Sequence, residues 1–306
     1  MIQAMNLKSI IWPSSGTYIL AISGGVDSMV LLDIFSKSSK EKNYNLVVAH
    51  FDHKMRKDSE QDAVFVDVAA GSHSLDIEIG TPKSKLLNEA TARSARYEFL
   101  NQVGMSYDAD GIITAHHQDD LLETSLLNLA RGSRRVGLAP FASEQPLRPF
   151  RNISRKKIIQ YAMDQNITWR EDPSNADVSN PRNFVRNNLL SLATPKWRQD
   201  YLAAIDKMAA LNESIDTNLE KRLVQGQKNT GYSFSRSQVA SLSIDETAEL
   251  LLASIRKCAP RTELDQRLIH ELVIFAKTAK PGRKRPINKL IELHVDRSTI
   301  KIVAHL

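Results

Sequence analysis

TYILAISGGVDSMVLL, residues 17–32, decides the fold, because an apolar strand runs through a Ser-Gly-Gly loop directly into a helix. We expect Gly24 and Gly25 to adopt positive φ and to bring the backbone close to an oxyanion. Free N–H groups at the start of the helix point toward the same place. The loop therefore predicts a phosphate-binding site. Its predicted contacts are Ser23, Gly24, Gly25, Val26, Asp27 and Ser28.

Asp27 extends this prediction from phosphate binding to nucleotide chemistry. A carboxylate inside an anion site repels phosphate unless a cation lies between them, so its natural partner is the Mg²⁺ of a nucleotide. The Walker pattern and its lysine are absent from the loop. A Gly-Gly turn alone is as often structural as functional, but the flanking serines and the enclosed aspartate favour function.

Composition narrows the class of protein. The chain has 306 residues, 42% of them hydrophobic, which is enough for one large domain or two smaller ones. It contains no apolar run of membrane-spanning length and its first residues do not resemble a signal peptide, so we expect a soluble, cytoplasmic protein that makes no membrane contact. Cys258 is the only cysteine, which excludes an internal disulfide, a cysteine-rich zinc site and an iron–sulfur cluster. A buried hydrophobic role is typical of such a cysteine.

Charge is distributed unevenly along the chain. Residues 1–130 hold 11 lysine and arginine residues against 17 acidic ones, whereas residues 131–306 hold 30 against 18. Residues 131–160 carry eight basic residues and one acidic residue, Glu144. This density favours a polyanion such as RNA over the alternative of a solvated face, since arginines lie in loops that contain Gly and Pro. The candidate contacts with RNA are Arg131, Arg134, Arg135 and Arg148.

The periodicity predicts an α/β fold with a doubly wound parallel sheet. Predicted strands are 18–22, 46–49, 75–79 and 112–114, and predicted helices are 29–35, 62–70, 90–103 and 120–129. From residue 197 the pattern changes to long helical segments at 197–222, 245–257 and 264–276. A hairpin at 290–295 and 299–303 follows them. We therefore predict a catalytic domain over 1–196 and a smaller, mainly helical domain over 197–306.

Two motifs follow the first loop along the chain. Residues 50–59, HFDHKMRKDS, are expected beside it, with His50 as a nucleotide contact. Two alternatives to a nucleotide contact are a metal site and a polar turn that ends in a helix cap at Ser59. In residues 89–100, EATARSARYEFL, Arg93 and Arg96 fall on one helical face. Arg96 followed by Tyr97 suits a planar anion or base, although two arginines could also solvate a surface.

A fourth motif, TAHHQDDLLET at 114–124, runs from a strand end into a helix. Acidic residues in a first helical turn also favour the helix dipole, so capping is the alternative to function. Asp120 and Glu123, however, share one face, and with Asp27 from a neighbouring strand end they could hold Mg²⁺ or receive an ammonium group. Paired carboxylates are costly without such a cation. Asp27 and Asp120 are the predicted metal ligands.

The fifth motif is a series of arginines and glycines in loops. It consists of RGSRRVGL at 131–138, RPF at 148–150, WREDPSN at 169–175 and RNFVR at 182–186. Loops of this composition suit contacts with phosphate and RNA, and Arg182 and Arg186 at positions i and i+4 could project from one helix.

Together these five motifs resemble those of the tRNA(Ile)-lysidine synthetases, members of the PP-loop (N-type) ATP pyrophosphatases, which have an adenine nucleotide alpha hydrolase-like fold. The resemblance covers about residues 17–190, and the DPSN and RNFVR segments are its most specific part. Leu121 differs, because the family usually has Gln there, and residues 134–136 replace a more glycine-rich stretch.

The resemblance implies an ATP- and Mg²⁺-dependent carbon–nitrogen ligase that joins L-lysine to C2 of the wobble cytidine in the CAU anticodon of tRNA(Ile). An adenylated cytidine would be the intermediate, and decoding would change from AUG to AUA. The implied catalytic residues are Asp27, Arg96, His116, Asp120, Glu123, Arg182 and Arg186. The sequence leaves a homodimer open. A PP-loop tRNA thiolase is the alternative function, which the single cysteine disfavours.

Overall fold

The structure is a computed structural model, and it describes residues 7–54, 59–82, 89–142, 145–171, 180–228, 231–260, 262 and 264–305. The chain divides into two compact units, and the division lies between Ala209 and Ala210. It falls within the long helix Pro195–Gly226, further along the chain than residue 196. The domain limit at residue 196 stays a prediction.

Four parallel strands form the sheet of the first unit. They are β1 (Gly16–Ala21), β2 (Tyr44–Phe51), β3 (Asp76–Gly80) and β4 (Gly111–Thr114). Their order across the sheet is β3-β2-β1-β4. At the carboxyl end of β1, Ala21 lies opposite Ala49 of β2 on one side and opposite Thr114 of β4 on the other. The loops that follow these three strands therefore leave the sheet at one edge.

Helices connect these strands and continue the chain to the end of the unit. They are α1 (Val26–Lys42), α2 (Ser59–Ser72), α3 (Glu89–Ser106), α4 (Gln118–Ala130), α5 (Arg135–Leu138), α6 (Arg155–Asp164), α7 (Pro181–Phe184) and α8 (Pro195–Gly226). A 3₁₀ turn at Leu7–Ser9 precedes β1, and a π-helical segment at Val185–Leu190 follows α7. π-helical turns are rare and occur often at functional sites.

The strand order creates a crevice beside β1. The chain moves from β1 to β2 on one side of it, continues to β3, and then crosses to β4 on the other side. In open α/β sheets, ligands bind where the order reverses, outside the carboxyl ends of the strands. In this sheet that position lies between β1 and β4, so the loops after these two strands define the candidate site.

Buried apolar side chains cover both faces of the sheet. Successive residues of β1 point to opposite faces: Ile19 packs with Leu100 of α3, whereas Leu20 packs with Leu31 of α1 and Ile158 of α6. All five side chains are at most 2% exposed. Burial of each such side chain contributes roughly 1.5–3 kcal/mol. Coverage on both faces explains the nearly continuous apolar sequence of β1 and β2.

The second unit is a smaller α+β structure. Its helices and strands are α9 (Arg236–Ser241), α10 (Ile244–Cys258), α11 (Gln266–Thr278), β5 (Gln227–Lys228), β6 (Gly231–Ser235), β7 (Arg283–Pro286), β8 (Ile291–Val295) and β9 (Thr299–Ala304). The strands form an antiparallel sheet in the order β5-β6-β9-β8-β7. Apolar residues of α10 and α11 pack with those of β8 and β9.

The structure confirms the predicted doubly wound parallel sheet with its four strands and intervening helices. It also confirms the predicted hairpin, in which Val295 of β8 lies opposite Ile300 of β9. The other three strands of the second sheet were not predicted: β5 and β7 are short and polar, and the alternation in β6, from Tyr232 to Ser235, covers only four residues. Ser59, predicted as a helix cap, is itself the first residue of α2. Over the residues that the structure describes, every helix is too short or too polar to cross a bilayer.

Candidate active site

A cavity of about 540 Å³ opens at the carboxyl edge of the parallel sheet. Its lining comes from the carboxyl ends of β1, β2 and β4, from the loops that follow them, and from the helices α1 to α4. The lining residues are Ala21, Ile22, Ser23, Gly25, Asp27, Ser28, Ala49, His50, Phe51, Asp52, His53, Ser59, Asp62, Arg96, Tyr97, Leu100, Thr114, Ala115, His116 and Asp120. The first four sequence motifs thus meet in one cavity.

The Ser-Gly-Gly loop is held in shape by two serines. The Ser28 hydroxyl donates to the Gly25 carbonyl (2.8 Å) and accepts from the Ser23 N–H (3.2 Å). Gly24 has φ +88°, a conformation that favours glycine, but Gly25 has φ −74° and ψ 160°. The expectation of positive φ at both glycines is therefore wrong for Gly25. Its extended conformation makes it the N-cap of α1, where the first helical N–H groups have no partner within the helix.

The predicted phosphate contacts divide into two groups. Ser23, Gly25, Asp27 and Ser28 line the cavity. Val26, by contrast, packs into the hydrophobic core, and Gly24 is buried. These two residues contribute to the loop through its shape.

Arg170 braces the loop from outside the first motif. Its backbone N–H donates to the Gly24 carbonyl (3.0 Å), and its guanidinium forms an ion pair with Asp62 of α2. Sequence analysis placed Arg170 in an arginine series for RNA, and only the fold shows that its backbone reaches the loop. The adjoining segment Asp172–Asn175 of that motif lies outside the described residues.

Asp27 is the acidic centre of the cavity. Its Oδ1 atom is buried and has no hydrogen-bond partner in the described part of the chain. Its Oδ2 atom lies 3.6 Å from His117 Nε2 and 3.9 Å from Arg155 Nε. An orphaned, buried carboxylate oxygen is costly, so a ligand with positive charge or a hydrogen-bond donor would stabilise it.

His117 connects Asp27 to Asp120. His117 is the N-cap of α4. Its ring atom Nδ1 accepts a hydrogen bond from the Asp120 backbone N–H (3.3 Å), and its backbone N–H donates to Asp120 Oδ2 (3.0 Å). The two bonds form a reciprocal capping box. Burial lowers the pKa of His117, but Asp120 and Asp27 together raise it above its ordinary value. Sequence analysis did not select His117, although its position directly before an acidic first turn was an available N-cap signal.

Asp119, the neighbour of Asp120, is committed to structural contacts. It accepts from the Arg198 guanidinium (2.6 Å) and from the Arg155 N–H (2.8 Å). Burial raises the pKa of Asp119, but these two hydrogen bonds, together with the charges of His117 and Arg198, bring it below its ordinary value. Asp119 therefore ties α4 to α6 and α8 and does not line the cavity.

Glu123, also on α4, is fully buried and paired with Arg186. The Arg186 Nε and Nη2 atoms donate to its two oxygens at 2.6 and 2.9 Å, which is a bidentate arrangement. Burial lowers the pKa of Arg186, but the hydrogen bonds to Glu123 raise it above its ordinary value. Arg182 lies 3.7 Å from Glu123 and donates to Thr124 (3.0 Å). Glu123, Arg182 and Arg186 thus form a cluster beside the cavity and do not line it.

His116 is a neutral imidazole on the cavity wall. Its Nδ1 lies 2.8 Å from the Thr114 hydroxyl, and its ring packs against Phe141 at 5.2 Å between centroids. Burial, with the nearby Arg96 and Arg148, lowers the pKa of His116 to about 4 despite Asp120. Phe141 has φ +63°, and Arg148 lies over its ring at 4.7 Å. Such a φ is rare for a bulky residue, and sequence analysis gave no indication of this arrangement.

Arg96 provides positive charge in the cavity. It forms no ion pair with a carboxylate of the described residues, and its guanidinium lies 5.3 Å from the Tyr97 ring centroid. Burial lowers the pKa of Arg96. A guanidinium remains charged in proteins, so Arg96 offers donors to an anionic ligand.

His50, near the carboxyl end of β2, and His53, just after that strand, complete the wall. His50 is 3% exposed, and its Nδ1 lies 2.9 Å from the Ile22 carbonyl, which can only accept. Nδ1 is therefore the donor, and Nε2, which has no partner among the described residues, is an acceptor. Burial and Arg96 lower the pKa of His53. The rest of this motif, Met55–Asp58, lies outside the described residues.

The four arginines predicted for tRNA occupy different positions. Arg131 is exposed at the C-terminal end of α4, Arg134 and Arg135 lie at the start of α5, and Arg148 lies over Phe141 near the cavity. Arg148 follows a bridge between Leu147 and Ile113 that extends the sheet beyond β4. The series thus begins at the cavity wall and continues to exposed surface.

The donor set suits a hard cation. In the described segments, no three histidine, cysteine, aspartate or glutamate residues are grouped as a protein-only metal site. Mg²⁺ is commonly held by one or two carboxylates together with substrate phosphates and water. Asp27, with its orphaned Oδ1, and Asp120 fit this description beside the loop.

Comparison with known proteins agrees with this architecture. The profile of a family described as a PP-loop domain matches residues 2–193. A tRNA(Ile)-lysidine synthase from Thermotoga sp. (strain RQ2) is 35% identical over 184 residues, which cover 57% of this chain and 44% of the relative. A tRNA(Ile)-lysidine synthase from Streptococcus pyogenes is 29% identical over 290 residues, 93% of this chain and 64% of the relative. The matched region covers less than half of the first relative and less than two thirds of the second.

A solved structure shares the fold. The U34-tRNA thiolase NcsA from Methanococcus maripaludis, determined with its [4Fe-4S] cluster, aligns with a TM-score of 0.54 at 15% identity. The alignment covers 65% of this chain and 74% of the thiolase. At this identity the likeness concerns the fold alone.

The buried ion pair gives a first prediction, for Glu123→Gln. The change leaves the Arg186 guanidinium in a largely buried site with only the longer contact to Asp120 (3.8 Å), so we expect the free energy of unfolding to fall by about 3 kcal/mol. Urea denaturation monitored by circular dichroism measures it. Asp200→Asn, which removes the partner of exposed Lys196, is the matched control and should leave the midpoint nearly unchanged. Equal effects of the two changes would contradict a structural role for the Glu123 pair.

The low pKa of His116 gives a pH prediction. Unfolded histidine titrates near 6.5, so between about pH 6.5 and pH 4 the unfolded chain binds a proton on His116 that the folded chain does not. Stability should therefore fall over that window. Urea denaturation at pH 7 and pH 5 should show a smaller loss for His116→Gln than for the unmodified chain. Identical losses would show that His116 is protonated in the fold.

Proposed function

This chain belongs to the PP-loop domain family, and from that premise we propose that it joins L-lysine to C2 of the wobble cytidine in the CAU anticodon of an isoleucine tRNA, at the expense of ATP. The product would be lysidine, so the anticodon would read AUA instead of AUG. The observation that carries the proposal is the cavity, in which a Ser-Gly-Gly loop, two linked carboxylates and a guanidinium with no carboxylate partner among the described residues meet. The names of the relatives support the choice of substrates.

The first step is adenylation of the cytidine. The C2 carbonyl is a poor electrophile because its oxygen leaves poorly; attack of that oxygen on the α-phosphate of ATP expels pyrophosphate and creates a better leaving group. We assign the triphosphate to the loop at Ser23–Ser28, and Asp27 with Asp120 to Mg²⁺. When bound, the ion would neutralise charge on the phosphates. His50, an acceptor at Nε2, is assigned to the nucleotide.

The second step is displacement by lysine. The neutral Nζ of lysine attacks C2 to form the new C–N bond, the proton that Nζ gives up passes to solvent water, and the C2–O bond breaks so that AMP leaves with the former carbonyl oxygen. Arg96 is placed to stabilise the negative charge of the adenylate and of departing AMP. His116, as a neutral imidazole, offers a hydrogen bond without adding charge to the cavity. Asp120, which lines the cavity, is the carboxylate assigned to lysine, whereas Glu123, Arg182 and Arg186 would act from beside the cavity by holding α4 in place.

RNA contacts are assigned to the basic part of the chain. Arg131, Arg134, Arg135 and Arg148 would bind phosphates, with further contacts from the domain predicted over 197–306. Such contacts position the tRNA, and they make its affinity strongly dependent on salt.

A tRNA thiolase is the competing function. Such a reaction needs a sulfur carrier, a persulfide or a cluster, all of which depend on cysteine. Cys258, the only cysteine, lies in α10 of the second unit, where it packs against that unit's apolar core. Burial raises the pKa of its thiol, which opposes thiolate chemistry. Lysine therefore fits the chain better than sulfur.

Transfer of labelled lysine tests the proposal. The chain is incubated with ATP, Mg²⁺, radiolabelled lysine and bulk bacterial tRNA, and label in the RNA is measured after precipitation. We expect label that depends on ATP, and a rate that falls by about 100-fold or more in Asp27→Asn. Asp67→Asn, an exposed carboxylate on α2, is the matched control and should react at the original rate.

Two outcomes would contradict the proposal. Absence of lysine transfer by a folded chain that binds ATP would exclude the reaction. Sulfur incorporation from a persulfide donor, with no lysine transfer, would favour the thiolase.

A further inference from the structure

His117 has a role that the proposed chemistry does not use. Its side chain is 1% exposed and lies between the two carboxylates assigned to Mg²⁺. One ring nitrogen, Nδ1, accepts the Asp120 N–H (3.3 Å), and the other, Nε2, lies 3.6 Å from Asp27 Oδ2. Asp27 lies in the first turn of α1 and Asp120 in the first turn of α4, so one imidazole connects two helix N-termini.

The capping contact fixes the tautomer of this ring. A nitrogen that accepts a backbone N–H carries no proton, so in the neutral imidazole the proton lies on Nε2. Nε2–H then faces Asp27 Oδ2, and a shift of a few tenths of an ångström brings the pair within hydrogen-bonding distance. With Oδ2 of Asp27 toward this donor, the other oxygen, Oδ1, is directed away from His117 and has no partner among the described residues.

We propose that His117 is a positioning residue whose two ring nitrogens have separate tasks. Nδ1 caps α4 and thereby fixes Asp120, whereas Nε2 orients Asp27 so that Oδ1 is free for the cation of the nucleotide. This inference rests on the proposed function only in assigning Mg²⁺ to Asp27 and Asp120. It concerns nucleotide binding, which precedes any contact with tRNA or lysine.

Two amide substitutions separate these tasks. Asparagine carries a polar atom near the position of Nδ1 and is a good N-cap, but it does not reach Asp27. Glutamine reaches the position of Nε2 but is a poor N-cap. His117→Asn should therefore keep the helix cap and lose the orientation of Asp27, and His117→Gln should do the reverse.

Calorimetric titration of ATP, with Mg²⁺ and with EDTA, tests the inference. We expect His117→Asn to weaken ATP binding about 10-fold in Mg²⁺ and to leave binding in EDTA unchanged. Its thermal midpoint should stay within about 2 °C of the original, whereas His117→Gln should lose about 2–4 °C with the cap. His73→Asn, the same exchange beyond the end of α2, is the control and should change neither quantity.

A double-mutant cycle gives a second readout. If His117 acts through Asp27, His117→Asn should weaken binding in Mg²⁺ by less than about twofold in an Asp27→Asn background. Equal losses in both backgrounds, equal losses in Mg²⁺ and EDTA, or unchanged binding in His117→Asn would each overturn the inference. A chain that binds ATP as expected but transfers no lysine would contradict the proposed function and leave this inference standing.

Discussion

The site depends on the parallel pairing of β1 with β2 on one side and β4 on the other. Ala21 is in register with both Ala49 and Thr114, so the loops after three strands leave the sheet side by side. A shift of either pairing by one residue would exchange the two faces of that strand, and side chains such as Ile19 and Leu20 would lose the partners with which they pack. The hydrophobic core thus fixes where the Ser-Gly-Gly loop, the histidines and the acidic helix meet.

Charge is organised in two layers around this edge. Asp119 and Glu123 are engaged with arginines outside the cavity, and these ion pairs hold α4 against its neighbours. Asp27 and Asp120 face inward, linked through His117, and Arg96 lines the same cavity with no carboxylate partner in the part of the chain that the structure describes. The outer pairs keep the inner charges in place, and the inner carboxylates have only longer arginine contacts, Asp27 with Arg155 at 3.9 Å and Asp120 with Arg186 at 3.8 Å. This division between stability and binding is why neighbouring acidic residues of one motif have different tasks.

Periodicity and the glycine loop were sufficient to predict the parallel sheet, because the strands are short apolar runs and local sequence specifies them. The candidate residues could be selected because they follow the predicted strands, and parallel topology brings the carboxyl ends of those strands together. The contacts that refine the site are non-local and carry no pattern: Arg170 on the loop, Phe141 at positive φ against His116, and the approach of His117 Nε2 to Asp27. The prediction of a positive φ was wrong for Gly25, because the sequence of a Gly-Gly pair does not show which of the two glycines adopts that conformation. The short polar strands β5 and β7 lacked any alternation from which to predict them.

We propose that this edge of the sheet holds a nucleotide whose divalent cation lies on Asp27 and Asp120. A crystal structure of the chain with ATP and Mn²⁺, which prefers the same oxygen ligands as Mg²⁺, tests it directly through the anomalous signal of the metal. We expect an anomalous peak beside Asp27 Oδ1 and Asp120, with the triphosphate along residues 23–28. A nucleotide bound elsewhere, or a peak away from both carboxylates, would contradict it.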